Sequence, residues 1–193
     1  MRRLLLAVAV ICFGSLFASV ASAQDTFQVF GGYSYLRQTV AVESTILCPG
    51  PPCPVTTANY HPNLNGWELS GTYNAYKWFG LTADFSGHYG TVQGSSDHVQ
   101  TYLFGPQVHL PGPVSPFAHV LIGGAHETIG ANETTPVIPV SGNAFDVAVG
   151  AGIDIQVASF VSLRPIQLDY LVTRFGSSTQ NQPRASAGVV FHF

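Results

Sequence analysis

His126 and Thr128 stand two positions apart, with Glu133 in the stretch that follows. In an extended segment residues i and i+2 project to the same side, so the imidazole and the hydroxyl share a face. A hydroxyl nucleophile needs a base within hydrogen-bond reach and a third group that orients the base. Threonine is a poor stand-in for serine, and no motif surrounds it. Rim residues facing water are therefore the expectation for this trio, and for His88 near the end of another segment. His61, His98, His109, His119 and His192 lack metal-ligand spacing and are expected in loops or in an interior. Nothing resembles a phosphate loop, a nucleotide-binding fold or a nucleophile elbow. No catalytic, cofactor-binding or metal residue is expected, and no enzyme activity.

The second piece of chemistry is Cys48-Pro49-Gly50-Pro51-Pro52-Cys53. In an exported chain the default reading is a local disulfide. A zinc site would need more ligands than His61 offers. The Pro-Gly turn brings the two ends together, as disulfide geometry requires. So short a loop gains little chain-entropy stabilisation, and the bond is expected to rigidify a loop tip.

Export itself is read from the first residues. Arg2 and Arg3 precede an apolar run from Leu4 to Val20 and then Ala21-Ser22-Ala23. This is a charged region, an apolar core and a small-residue cleavage site. Cleavage is expected after Ala23, with residues 1–23 a signal peptide and 24–193 a single domain. The run is short for a spanning helix. Cys12 does not make a lipoprotein signal, since Ile11 precedes it.

Loss of Arg2 and Arg3 takes the formal net charge from −3 to −5. With no basic patch, nucleic acid is not a partner. Charged residues make up 9% of the chain, against about 25% in soluble domains. Aromatics are 12%. After Ala23 no apolar run approaches the length of a spanning helix, about 18 residues. Apolarity without helical spans points to alternate positions in membrane-crossing strands.

Eight strand-like segments alternate apolar and polar residues: 26–38, 66–76, 79–89, 98–109, 116–127, 144–155, 160–174 and 184–193. In 66–76, Trp67, Leu69, Tyr73 and Ala75 oppose Glu68, Ser70, Thr72 and Asn74. In 79–89, Leu81, Ala83 and Phe85 oppose Thr82, Asp84 and Ser86. The face of 116–127 is ambiguous, because Ala118, Val120 and Ile122 compete with Phe117 and Leu121. The phase of 160–174 slips near Arg164-Pro165, which predicts a β-bulge. The connections alternate: Tyr76-Lys77-Trp78, 110–115 and 156–159 are short, while 39–65, 91–97, 128–143 and 175–183 are longer or more polar.

These features favour a membrane barrel over a soluble sandwich. The segments exceed the soluble mode of about five or six residues. Aromatics gather near strand ends, as in interfacial girdles. The polar face carries Glu68, Asp84, Asp146, Asp154, Arg164, Asp169 and Arg184. Those charges would be costly in a sandwich core and suit a charge-paired lumen. The expected fold is all-β: an eight-stranded antiparallel up-and-down transmembrane β-barrel.

Several segments carry a family resemblance. They are Val29-Phe30-Gly31-Gly32-Tyr33-Ser34-Tyr35, Tyr102-Leu103-Phe104-Gly105-Pro106-Gln107, Pro116-Phe117-Ala118-His119, Arg164-Pro165-Ile166-Gln167-Leu168-Asp169-Tyr170 and the terminal Ser186 to Phe193. Through them the chain resembles the small eight-stranded outer-membrane barrels of the OmpA/OmpX type and the outer membrane protein beta-barrel domain proteins. The resemblance implies an outer-membrane location in a Gram-negative-type bacterium, with both termini periplasmic. It implies a barrel-assembly machinery that reads Val189, Phe191 and Phe193, and outer-membrane lipid as surroundings. The peptidoglycan-binding domain of larger OmpA-class proteins is not expected in a chain ending at Phe193. The expected role is a non-enzymatic, monomeric anchor displaying loops, with the loop 39–65 meeting an extracellular ligand. A narrow cation-preferring pore is the alternative. A lipid A-modifying enzyme, of the kind some small barrels are, is the remote one. Thiol labelling of the mature protein should find no reactive cysteine until a reductant is added; labelling without reductant would overturn the disulfide.

Overall fold

The computed structural model describes residues 26–38, 40–45, 55–92, 95–130, 140–175 and 178–193. Ten strands are formed: β1 (Phe27–Arg37), β2 (Val40–Thr45), β3 (Val55–Tyr60), β4 (Asn63–Tyr76), β5 (Phe79–Val92), β6 (Ser95–His109), β7 (Val114–Ile129), β8 (Val140–Ala158), β9 (Val161–Phe175) and β10 (Ser178–His192). Eight of them close a barrel in the order β1-β4-β5-β6-β7-β8-β9-β10, with every neighbour antiparallel. β2 and β3 pair as a separate two-stranded ribbon. Among the described residues no helix is long and apolar enough to cross a membrane.

The barrel is turned inside out relative to a soluble protein. Leu69, Phe85, Phe104, Ile122, Val149 and Leu168 are exposed on its outer wall, while Glu68, Asp84, His119, Asp169 and Arg184 are buried inside. The period of two produces this directly, since each strand sends one parity outward and the other inward. β7 resolves its ambiguity in the same way. Phe117 and Leu121 are buried, and Ala118, Val120 and Ile122 are exposed. Small side chains on the outer face leave grooves for aromatics. A Cβ on Gly124 would lie 2.6 Å from the Tyr102 hydroxyl oxygen, and one on Gly87 would lie 2.9 Å from the Trp67 ring. Each ring lies across the glycine directly opposite it in the ladder.

The bulge falls where the phase slip predicts it. Register shifts lie between Ser186 and Gly188 on β10 and between Ile153 and Ile155 on β8. Pro165 and Ile166 both face outward, so Arg164 and Gln167 both face inward. Proline has no N–H to give the ladder, which makes the bulge the tolerated place for it.

Two sequence expectations need correction. The connection 39–65 is not all loop: it contains the β2–β3 ribbon, and β4 begins at Asn63. The connection 175–183 is mostly strand, with Ser178 paired to Phe175 and Pro183 to Tyr170. β6, β7 and β8 likewise run beyond the segments read from alternation. Where strands rise past the apolar band, both faces meet water or polar neighbours, and the alternating signal disappears while the ladder continues.

Val149 sits midway along β8, opposite Val120 and Tyr170. Val149→Arg should lower the folding stability in lipid vesicles by about 2–4 kcal/mol, the midplane cost of an outward arginine. An unchanged denaturation midpoint would show that this face does not meet lipid.

Candidate functional site

The interior of the barrel is the only place where charged side chains converge among the described residues, and it is built in layers. At the end with the short turns, a cavity of about 580 Å³ is lined by Gln28, Lys77, His109, Pro113, Gln156 and His192. Asp154 marks its inner limit. There Arg164 makes a two-pronged pair with Asp154, Nε to Oδ1 at 2.7 Å and Nη2 to Oδ2 at 2.9 Å. The guanidinium lies between two rings, 4.4 Å from the Phe30 centroid and 4.1 Å from that of Phe117. β1 and β7 are four places apart in an eight-stranded ring, so the stack of ring, guanidinium and ring spans the bore. The bulge at Pro165 is what turns Arg164 into this position.

The central layer is organised on Arg184, which is 1% exposed. It donates to both Asp84 oxygens at 3.0 and 3.3 Å, to Asp169 Oδ2 at 2.9 Å and to Ser86 Oγ at 3.2 Å. Glu68 Oε2 lies 3.5 Å away. Gln167 donates to Glu68 and to Asp169, both at 2.8 Å, and accepts from Arg164 at 2.7 Å. His119 Nε2 meets Asp169 Oδ1 at 2.8 Å, and Ser186 donates to Glu68 at 2.5 Å. Gln167 thus joins the two arginine layers into one network. In a low-dielectric interior such a network holds only when nearly every member is satisfied.

Towards the opposite end the filling turns apolar. Leu103, Leu121, Ala148 and Leu171 form one cluster, and Leu36, Leu64 and Val99 another. Asp146 takes a hydrogen bond from Thr173 at 3.0 Å beside the first cluster. Beyond the second, Gln38 Nε2 donates to Glu127 Oε1 at 2.7 Å, and Asp97 is buried close by.

All seven charged residues singled out in the sequence, Glu68, Asp84, Asp146, Asp154, Arg164, Asp169 and Arg184, are buried inside. Six belong to the two arginine layers; Asp146 stands apart from both. Val189, Phe191 and Phe193 lie on the outward parity of the last segment, and the Phe193 N–H bonds to the Phe27 carbonyl at 2.8 Å. Cys48, Cys53, Glu133 and residues 1–23, read as a signal peptide, lie outside the described residues. His126 and Thr128 do meet: Thr128 Oγ1 is 3.3 Å from His126 Nε2, and His126 Nδ1 is 2.8 Å from Asn143 Oδ1. Thr128 is paired on both sides, to His98 and to Ser141, so its backbone belongs to the ladder.

Sequence reasoning missed Gln38, Asp97, Glu127, Gln167 and the Phe30 and Phe117 rings. Gln167 was within reach, since it shares the inward parity of Asp169 after the slip. Asp97 shares that of Val99 and Thr101, but it sits in a stretch too polar to read as strand. Among the described residues no three His, Cys, Asp or Glu side chains gather as a metal site.

No protein-family model matches the chain, and no curated protein matches it. Solved structures do share its fold. The Neisserial surface protein A superposes at a TM-score of 0.64 with 12% identity, over 89% of this chain and 99% of that one. OprG from Pseudomonas aeruginosa gives 0.58 with 13% identity, over 86% and 95%. The attachment invasion locus protein Ail of Yersinia pestis, in complex with the heparin analogue sucrose octasulfate, gives 0.53 with 13% identity, over 86% and 99%. The chain therefore has the fold of small outer-membrane β-barrels.

Arg184→Met would leave Asp84, Asp169 and Glu68 facing one another without their shared cation. The expected loss is about 3–5 kcal/mol, the usual cost of removing one partner from a buried ionic cluster, read as a fall in the urea midpoint in vesicles. A midpoint equal to that of the parent protein would mean that the cluster adds no stability.

Proposed function

We propose that the protein is a non-enzymatic anchor of the outer membrane: a sealed barrel, with both termini in the periplasm, that presents its long-loop end at the cell surface. The observation that carries this reading is the filled bore. The Phe30–Arg164–Phe117 stack, the Arg184 cluster and the two leucine-rich layers follow one another along the bore. An eight-stranded barrel is just wide enough for side chains to fill it. The excess of acids over arginines in the lumen would suit a cation-preferring pore, but these acids are engaged with arginine, histidine, glutamine and serine rather than lining an open channel.

The orientation rests on the connections. The short turns, such as Tyr76-Lys77-Trp78, gather at one end and the β2–β3 ribbon rises from the other. The ribbon is the longest excursion from the barrel and the natural contact surface for a partner. Ail was solved with a heparin analogue, yet a sulfated polymer is a poor guess here. After the leader the only basic residues are Arg37, Lys77, Arg164, Arg174 and Arg184, so none lies within 39–65 or 128–143. A polyanion needs Lys and Arg to bind. Val and Thr dominate the ribbon strands and Glu43 is their one charged residue, which fits a protein surface better than a polyanion.

Two measurements test the reading. The purified barrel in a planar lipid bilayer should give no steady conductance at low voltage; reproducible open channels would replace the sealed anchor with the pore. An epitope inserted between Thr45 and Val55 should bind antibody on intact cells. Binding only after the outer membrane is permeabilised would reverse the orientation.

A further inference from the structure

The loop end of the lumen contains two carboxylates, Asp97 buried and Glu127 half-buried, with no arginine or lysine paired to either. Asp97 is 1% exposed, and no side chain donates to either of its carboxylate oxygens, which have only the His98 main chain nearby. Glu127 is its diagonal neighbour on the adjacent strand β7: Asp97 pairs with Ile129 and Val99 with Glu127, which puts both carboxylates on the inward parity. Gln38, wholly buried, reaches across the bore from the end of β1 and donates Nε2 to Glu127 Oε1 at 2.7 Å. Its own Oε1 is left without a partner. Below this group Leu36, Leu64 and Val99 close the lumen.

A buried, unpaired carboxylate is strongly unfavourable, and two side by side are more so. Elsewhere in this lumen the same problem is solved with arginine. Here it cannot be, because the chain has no arginine or lysine to spare. Arg164 and Arg184 are committed to the layers below, while Arg37, Lys77 and Arg174 are exposed. Water can hydrogen-bond to an orphaned oxygen but brings no positive charge.

We infer that the loop end of the lumen binds one calcium ion between Asp97 and Glu127, with the Gln38 side-chain oxygen as a third ligand. The ligands are oxygens only, which selects hard cations over zinc or copper. Two carboxylate charges match a divalent ion. Both Asp97 oxygens, the Gln38 oxygen and the Glu127 oxygen outside its bond to Gln38 supply ligands from β6, β7 and the residue just after β1, with water completing the shell. Calcium accepts six to eight oxygens in irregular arrangements, whereas magnesium demands a near-ideal octahedron. The ion would tie β1, β6 and β7 together across the mouth, beneath the loops. The inference concerns the isolated barrel and does not depend on its surface role.

The test is calorimetric titration of CaCl₂ into the full-length protein, refolded in a neutral detergent and stripped with EDTA. One saturable site per chain is expected, with a Kd of about 10⁻⁴–10⁻³ M, the range of extracellular calcium modules. The melting temperature should be higher in calcium than in EDTA. Asp97→Asn and Glu127→Gln, each checked as folded by its gel shift on boiling, should each weaken binding about tenfold or more, because affinity follows ligand charge. Glu133→Gln, which removes the same charge from the 128–143 connection, should bind as the parent does. Absence of a saturable site in the parent protein overturns the inference whatever the variants do. So does binding that both variants retain, or a site that magnesium fills more tightly than calcium.

Discussion

A backbone N–H or C=O left unpaired in hydrocarbon costs several kcal/mol, and everything else in this protein follows from avoiding that cost. An open sheet would expose two edges to lipid. Pairing β1 with β10 from Gln28–His192 to Leu36–Arg184 removes both. The Phe193 and Phe27 main chains continue the seam to its end. Once the sheet is closed, each strand has a lipid face and a lumen face, and the choice of side chain at each position is constrained by which one it meets.

Closure with eight strands then creates the second constraint, a bore of fixed width that must be filled. The protein fills it unevenly. The half nearer the short turns is polar and is held by two arginines, while the half nearer the loops mixes two apolar clusters with buried polar residues such as His88, Thr101 and Gln182. The arginines do different work. Arg164 is held by its two aromatic neighbours as well as by Asp154, and the planar guanidinium suits that sandwich in a way a lysine would not. Arg184 is a hub that gathers acids from β4, β5 and β9. Gln167, with both ends of its amide engaged, makes the two into one unit.

The same filling separates an anchor from a pore. A lumen lined by free carboxylates would attract cations and pass them, whereas one whose carboxylates are bonded across the bore holds its walls together. At the loop end the balance fails, where Asp97 and Glu127 lie on neighbouring strands with no arginine or lysine to answer them. The fold comparisons agree with the architecture and are silent on what the loop end meets, since low-identity barrels share a scaffold and not a surface.

Residue types and their period of two were enough to read the barrel, its lipid face and the inward direction of Glu68, Asp84, Asp146, Asp154, Arg164, Asp169 and Arg184, because parity is a local property of extended chain. They also located the bulge, because proline and a phase slip coincide at Arg164-Pro165. They did not reach the strand extensions or the β2–β3 ribbon, where both faces are wet and alternation carries no energy. Nor could they say which charge pairs with which. Asp154 and not Asp169 takes Arg164, while Asp169 takes Arg184 and His119. Those choices depend on the register between strands far apart in sequence and on which walls face each other across the bore, and only closure of the barrel sets either.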